Sequence, residues 1–215
     1  NGEYMCYYLE KGGILMDFID ISKNIFEADV YPGDPVPVAE KISRMELGDE
    51  CNLTAMYACL HNGTHCDAPL HFIEDGLSIK DLDLSVFVGP CTVIEAGSVI
   101  TGEIIDKYLP TGCERVLFKT HGGFIHESAA DELALRGVKL VGIDSCSIDP
   151  QGDFEPLAHR AMLGAGMAVL EGLDLSKAQP GEYFLIAPPV NTGELEAAPV
   201  RAGLISGYIF WGGKS

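Results

Sequence analysis

Positive charge is scarce in this chain: 14 Lys and Arg stand against 32 Asp and Glu, a formal net charge of -18 over 215 residues. An acidic surface of that kind repels phosphate backbones and anionic bilayers over a Debye length, about 8 Å in physiological salt, so neither nucleic acid nor a membrane surface is expected as a partner. No apolar run approaches the ~18 residues of a membrane-spanning helix, and no stretch has the long apolar core of a secretory signal. The seven cysteines, Cys6, Cys51, Cys59, Cys66, Cys91, Cys113 and Cys146, are an odd set without a Cys-x-x-Cys pair, which argues against a disulfide framework. A reducing cytoplasm is the expected compartment. Internal repeats and low-complexity linkers are also missing, and with 47% hydrophobic residues a single domain with a substantial core is expected.

What the chain does have is a dense patch of metal-ligand chemistry. From residue 61 to 71 it reads His61-Asn62-Gly63-Thr64-His65-Cys66-Asp67-Ala68-Pro69-Leu70-His71, which holds three of its six histidines and a carboxylate. Imidazole and carboxylate are the ligands that borderline and hard divalent cations prefer. A lone histidine is ordinarily a hydrogen-bonded polar residue, and it is the clustering that makes ligation the stronger reading. A helix is opposed by Gly63 and Pro69, and at about 100° per residue it would carry Asp67 away from His61 and His65. In extended chain His61, His65, Asp67 and His71 share one parity and point to one side, with Gly63 and Pro69 permitting bends. An irregular strand or loop wrapping a cation is expected. Cys66 has the opposite parity and is assigned to packing.

A second pair of candidates lies further on. Asp153, Glu155 and Pro156 read as a helix start and Gly164 as its stop, which would place His159 mid-helix. Gly166-Met167-Ala168-Val169-Leu170 is an apolar run of the buried-strand type, and Glu171 with Gly172 ends it. Read alone, His159 is no better a candidate for ligation than for an ordinary polar role, and Glu171 is a weaker one.

The run His-x-Gly-Thr-His-x-Asp-x-Pro-x-His-Phe, complete from His61 to Phe72, resembles the signature of the metal-dependent cyclase family, which includes bacterial kynurenine formamidases and isatin hydrolases. Tyr31-Pro32-Gly33-Asp34-Pro35, Val141-Gly142-Ile143-Asp144 with Ser147-Ile148-Asp149, and Pro199-Val200-Arg201 are similar to that family as well. The resemblance implies a binuclear centre of two divalent ions, with zinc favoured and manganese the second candidate. The first ion would take His61, His65 and Asp67; Asp67 would bridge to a second held by His159 and Glu171, twelve residues apart. His71 would be the proton-transfer residue. The implied activity is hydrolysis of a small-molecule amide through a metal-activated water: an arylformamidase cleaving N-formylkynurenine to kynurenine and formate, or a cyclic-amide hydrolase acting on a compound such as isatin. A non-catalytic metal-binding module is the rival from another class. His71 argues against it, because a structural cage needs no proton carrier, and a structural zinc site more often closes with cysteine.

Strands are expected over Leu53–Leu60, Cys91–Ala96, Arg115–Lys119, Lys139–Asp144, Met167–Leu170, Tyr183–Ala187 and Leu204–Phe210. Helices are expected over Gly102–Leu109, after the cap Thr101, and over Glu127–Arg136, stopped by Gly137. This is a mixed α/β pattern, and the resemblance sharpens it to a swivelling β/β/α fold with a central barrel-like sheet and peripheral helices, assembled as a homodimer or homotetramer. Met16 followed by Asp17-Phe18-Ile19-Asp20 is similar to the family's opening strand, so residues 1–15 are expected to be an extension and 16–215 the domain. Tyr31 and Phe72 flank the motif segments and are candidates for an aromatic wall against an aryl substrate. His121, in a glycine-rich loop, is a weaker substrate candidate; His126 is expected to begin a helix in solvent, and Trp211 to be structural or at an interface.

Overall fold

A computed structural model describes residues 16–152 and 155–207. In chain order the strands are β1 (Asp17–Asp20), β2 (Val38–Ser43), β3 (Leu53–Tyr57), β4 (His65–Asp67), β5 (Val88–Glu95), β6 (Val99–Ile100), β7 (Arg115–Lys119), β8 (Phe124–Ile125), β9 (Leu140–Ile143), β10 (Ala168–Glu171), β11 (Gly181–Ile186), β12 (Ala197–Pro199) and β13 (Gly203–Ser206). Three helices are interspersed: α1 (Gly102–Tyr108), α2 (Glu127–Leu135) and α3 (Leu157–Gly164). Nine strands form one sheet in the order β1-β13-β11-β5-β7-β9-β10-β4-β12. Its centre, β5-β7-β9-β10, is parallel, while the flanks pair antiparallel. The sheet curls strongly into a half-barrel, the barrel-like architecture that the family resemblance implied.

Strand alternation divides the apolar residues between the two faces. Leu117, Leu140 and Leu170 join one cluster with Leu185 and Leu204 from the flanking strands. Val116, Phe118, Val141, Ile143 and Val169 face the other way and meet Ile105 of α1, Leu133 of α2 and Met162 of α3. Both faces of the central strands are therefore covered, which is why these strands read as continuous apolar runs. Gly142 lies at the crowded middle: a Cβ there would come within 2.4 Å of Leu117 and 2.8 Å of Leu173.

The second sheet has only β2 and β3, an antiparallel hairpin. Every residue of β3 and all of β2 except Ser43 are exposed, among them Val38, Ile42, Leu53, Met56 and Tyr57.

Several sequence expectations are corrected. α3 begins at Leu157 with Pro156 as its cap, so His159 is in the first turn rather than mid-helix. The chain leaves the helix through Ala165 and Gly166, whose φ of +79° makes Gly166, not Gly164, the reversing residue. Glu171 belongs to β10, and β3 stops at Tyr57, short of Leu60. His71 ends a single 3-10 turn, Pro69–His71, because Pro69 presets the backbone for helical entry; the purely extended path does not hold beyond Asp67. Four short or exposed strands, β2, β6, β8 and β12, escaped the sequence reading. Asp153, Phe210, Trp211 and residues 1–15 lie outside the described residues.

Candidate metal centre

The centre is assembled by the register of β4 and β10. Their antiparallel pairing sets His65 directly opposite Glu171, with Cys66 opposite Leu170 and Asp67 opposite Val169. Alternation then sends His65, Asp67 and Glu171 to the helix side of the sheet, where α3 supplies His159, and sends Cys66 into the opposite core, fully buried. Two glycines permit the close approach of the motif loop to the end of β10. Gly172 has φ +64°, and a Cβ there would sit 2.1 Å from the Gly63 carbonyl oxygen, while Gly63 itself has φ +70°. Thr64 closes the junction, its hydroxyl donating to the Gly172 carbonyl at 2.6 Å and accepting from the Lys23 amide at 2.8 Å.

The resulting geometry is compact. His65 Nε2 lies 3.5 Å from Asp67 Oδ1 and 3.3 Å from Glu171 Oε2. His159 Nε2 is 3.5 Å from Asp67 Oδ2 and 3.1 Å from Glu171 Oε1, and His61 Nδ1 is 2.9 Å from Asp67 Oδ1. Yet His65 Nε2, His159 Nε2 and both oxygens of Asp67 are buried without a hydrogen-bond partner: the atoms approach without the alignment a hydrogen bond requires. Four such orphans in one corner are costly unless something else satisfies them, and each unpaired buried polar group costs ~1–3 kcal/mol, more when charged. Nitrogen and oxygen atoms that face one another in this manner are the donor set of a divalent cation, so the residues fit a metal.

Two groups each offer one atom per residue within a mutual 4.8 Å: His61, Asp67 and His71, and His65, Asp67 and Glu171. Asp67 is common to both. His71 falls within ligand reach as well as at the rim, its ring 4.3 Å from that of His61 and 5.7 Å from that of His159.

Electrostatics follow from burial and proximity. Burial opposes protonation of His65, but Asp67 and Glu171 outweigh it and push the ring up to about 9. The same balance raises His159 well above the ordinary imidazole value, with Glu171 and Asp149 as the leading partners, and raises His61 through Asp67. Burial would raise the Asp67 carboxyl, yet the imidazoles of His65, His159 and His61 hold it well below the usual range. His71 goes the other way: burial lowers it, and the neighbouring rings of His61 and His159 offset the pull of Asp67. Its ring favours the neutral form.

A cleft of about 240 Å³ opens over these groups, and both aromatic candidates, Tyr31 and Phe72, line it. The Phe72 ring packs against His71 at 4.3 Å and His159 at 4.8 Å, forming an apolar wall beside the ligands. The sequence reading gave no site role to the other lining residues, Asp34, Cys146, Ser147, Asp149, Pro150 and Pro156. His121 does not line this cleft; it is exposed, its Nε2 2.7 Å from Glu95. His126 is the exposed cap of α2, its ring accepting from the Ser128 amide. Tyr31-Pro32-Gly33-Asp34 and Ser147-Ile148-Asp149 were visible as motif-like segments, but nothing local in them signalled contact with the histidines.

Comparison with known proteins places the geometry in context. The Cyclase family model matches residues 19–150. Over 201 residues the chain is 39% identical to a kynurenine formamidase of Sphingopyxis alaskensis, an alignment covering 85% of this chain and 95% of that protein. A solved structure described as a predicted metal-dependent hydrolase from Bacillus stearothermophilus superposes with a TM-score of 0.76 at 30% identity, covering 88% of this chain and 98% of the other. Isatin hydrolase A from Labrenzia aggregata, bound to benzyl benzoate, gives a TM-score of 0.76 at 22% identity over 90% of this chain and 94% of its own, a likeness of fold.

Proposed function

The chain belongs to the Cyclase family and is a metal-dependent amide hydrolase, and from that premise we propose that it is an arylformamidase, cleaving N-formylkynurenine to kynurenine and formate. The observation that carries this reading is the set of orphaned buried ligand atoms on His65, Asp67 and His159, beside a cleft with an aromatic wall and a histidine at its rim. The relative named kynurenine formamidase supports the choice of substrate.

His61, His65 and Asp67 would hold one divalent cation, and His159 and Glu171, sharing Asp67, a second. We favour zinc, with manganese as the second candidate, because the donor set mixes imidazole and carboxylate. When bound, such cations supply a Lewis acid that polarises a carbonyl and makes water acidic near neutral pH. Phe72 and Tyr31 pack an aryl ring and exclude bulk water from the cleft. The neutral ring of His71 accepts the proton that water gives up as it adds to the formyl carbon. It then returns that proton to the aryl nitrogen as the carbon–nitrogen bond breaks, so that the free amine leaves with formic acid, which loses its remaining acidic proton to solvent as formate.

The protein would act as a homodimer or homotetramer in the cytoplasm. Support for assembly comes from the hairpin β2–β3, because a two-stranded hairpin with large apolar residues on its surface is marginal in water by itself. No helix among the described residues is long and apolar enough to cross a membrane.

The direct test strips the metal, reconstitutes separately with zinc and manganese, and follows formate release from N-formylkynurenine with isatin run beside it. Efficient formate release is the expected result. Turnover of isatin alone would transfer the protein to cyclic amides, and metal-dependent thermal stabilisation with no turnover of either would restore the non-catalytic alternative.

A further inference from the structure

Asp149 is buried at the foot of the cleft and makes three hydrogen bonds to one target, the first turn of α3. Its Oδ1 accepts from the Ala158 amide at 3.0 Å, and its Oδ2 accepts from the His159 amide at 3.1 Å and approaches His159 Nδ1 at 2.6 Å. The proline that caps α3 offers no side-chain acceptor, so a residue from outside the helix satisfies amides that the helix cannot. The same carboxylate fixes the ring. An ionised carboxylate only accepts, so Nδ1 keeps its proton when a cation displaces the other, and Nε2, which faces Asp67 and Glu171, is the nitrogen left free to ligate.

The rest of this segment is built to hold that carboxylate still. One residue earlier, the Ile148 amide donates to Glu171 Oε1 at 2.6 Å, so adjacent residues orient both candidate ligands of the second subsite. The Ile148 side chain is fully buried in the helix-side core, and its carbonyl accepts from the Ile125 amide at 2.7 Å. At the loop's other end the Asp144 carboxylate accepts from the Thr120 amide and hydroxyl and from the His121 amide.

We infer that Asp149 is the positioning residue of the second cation subsite, holding His159 in the tautomer and orientation in which Nε2 can ligate. The inference rests on the binuclear reading above. Partners of this kind, which touch a ligand rather than the metal, are worth about 10–100-fold in metal affinity. The helix cap and the ring contact come from one carboxylate, so the place of α3 in the fold and the direction of its histidine are set together.

The test is equilibrium dialysis of zinc ions against the full chain and against Asp149→Ala, Asp149→Asn and Ala161→Gly, the last weakening α3 without touching Asp149. The wild type is expected to take two zinc ions. Asp149→Ala should bind the first normally and the second about 10–100-fold more weakly, with Asp149→Asn intermediate because an amide oxygen can still accept from Nδ1. Ala161→Gly should keep both. Should Asp149→Ala retain the second ion within about twofold, or should Ala161→Gly lose it equally, the positioning role is wrong. Nitrogen NMR of the zinc-loaded wild type gives a reading that needs no variant, and it decides the matter even if Asp149→Ala fails to fold: the His159 proton belongs on Nδ1, and its presence on Nε2 would overturn the proposal. A wild type that takes a single zinc would overturn the binuclear reading along with it.

Discussion

The hairpin β2–β3 and the strand β4 are separated by only seven residues, 58–64, yet they obey opposite physical rules. In the hairpin, apolar side chains such as Leu47, Met56 and Tyr57 stand in solvent at 56–70% exposure, and among the described residues no other strand is hydrogen-bonded to β2 or β3. In the corner of β4 and β10, His65, Asp67 and Glu171 are at most 3% exposed, and His65 Nε2 and both Asp67 oxygens have no hydrogen-bond partner among the described residues. Each region is incomplete in the currency of its surroundings. The hairpin needs apolar surface to cover it, and the corner needs charge to satisfy it. The difference teaches that burial alone does not mark function here; mismatch between a group and its environment does.

Changes in the corner should therefore dominate activity and barely touch assembly. His65→Ala removes a proposed ligand and should lower turnover by at least about 10³-fold, several kcal/mol of lost charge stabilisation, with zinc content falling in parallel. A variant still active with reduced zinc would show that the corner is not the catalytic centre. His71→Ala should lower kcat by about 10²–10⁴-fold while metal content is unchanged, the loss expected when a general base is removed. Loss of a metal with it would make His71 a ligand rather than a proton carrier, a distinction its position within ligand reach makes worth measuring.

Metal removal should be visible without any substrate. With zinc at about 100 times its dissociation constant, binding contributes about 2.7 kcal/mol, so chelation should lower Tm by roughly 5–10 °C in calorimetry. The pH dependence has a defined sign. In the metal-free protein the His65 ring is pushed up to about 9, and a cation must displace that proton, so zinc affinity should rise with pH between about 6 and 9 and calorimetry should record proton release. Affinity that is flat or falls over this range would mean that His65 is not a ligand.

The hairpin should show the reverse profile. Met56→Glu combined with Tyr57→Asp should leave zinc content unchanged and folding stability within about 0.5 kcal/mol, as for ordinary surface changes, while sedimentation shows a smaller species. An unaltered sedimentation coefficient would remove the hairpin from the interface. The smallest effect belongs to Arg201, whose guanidinium pairs with Asp20 in the open. That pair holds the Asp20 carboxyl below its usual value, so whatever it contributes is present above the ordinary carboxylate range and fades as pH falls through the lowered value. Arg201→Ala should cost no more than about 1 kcal/mol in urea unfolding, since exposed ion pairs are screened.

The candidate ligand types, their parity and the mixed α/β class can be read from the chain before any folding is known. His61, His65 and Asp67 lie so close together that local geometry nearly dictates their convergence, and alternation alone predicts that Cys66 turns away into the core. The central strands were legible because burial on both faces makes them uninterrupted apolar runs; β2 and β12 were not, being exposed or very short. Bringing His159 and Glu171 to the same corner was implied by resemblance, and only the β4–β10 register and the packing of α3 carry it out. Asp149 was beyond sequence reasoning altogether. Its value lies in reaching amides nine and ten residues further along and the ring of the second, and hydrogen bonds across such a gap leave no periodicity to read. The 3-10 turn that delivers His71, and the left-handed Gly172 that lets the motif loop touch β10, are of the same kind: local conformations that matter because of what the tertiary structure sets beside them.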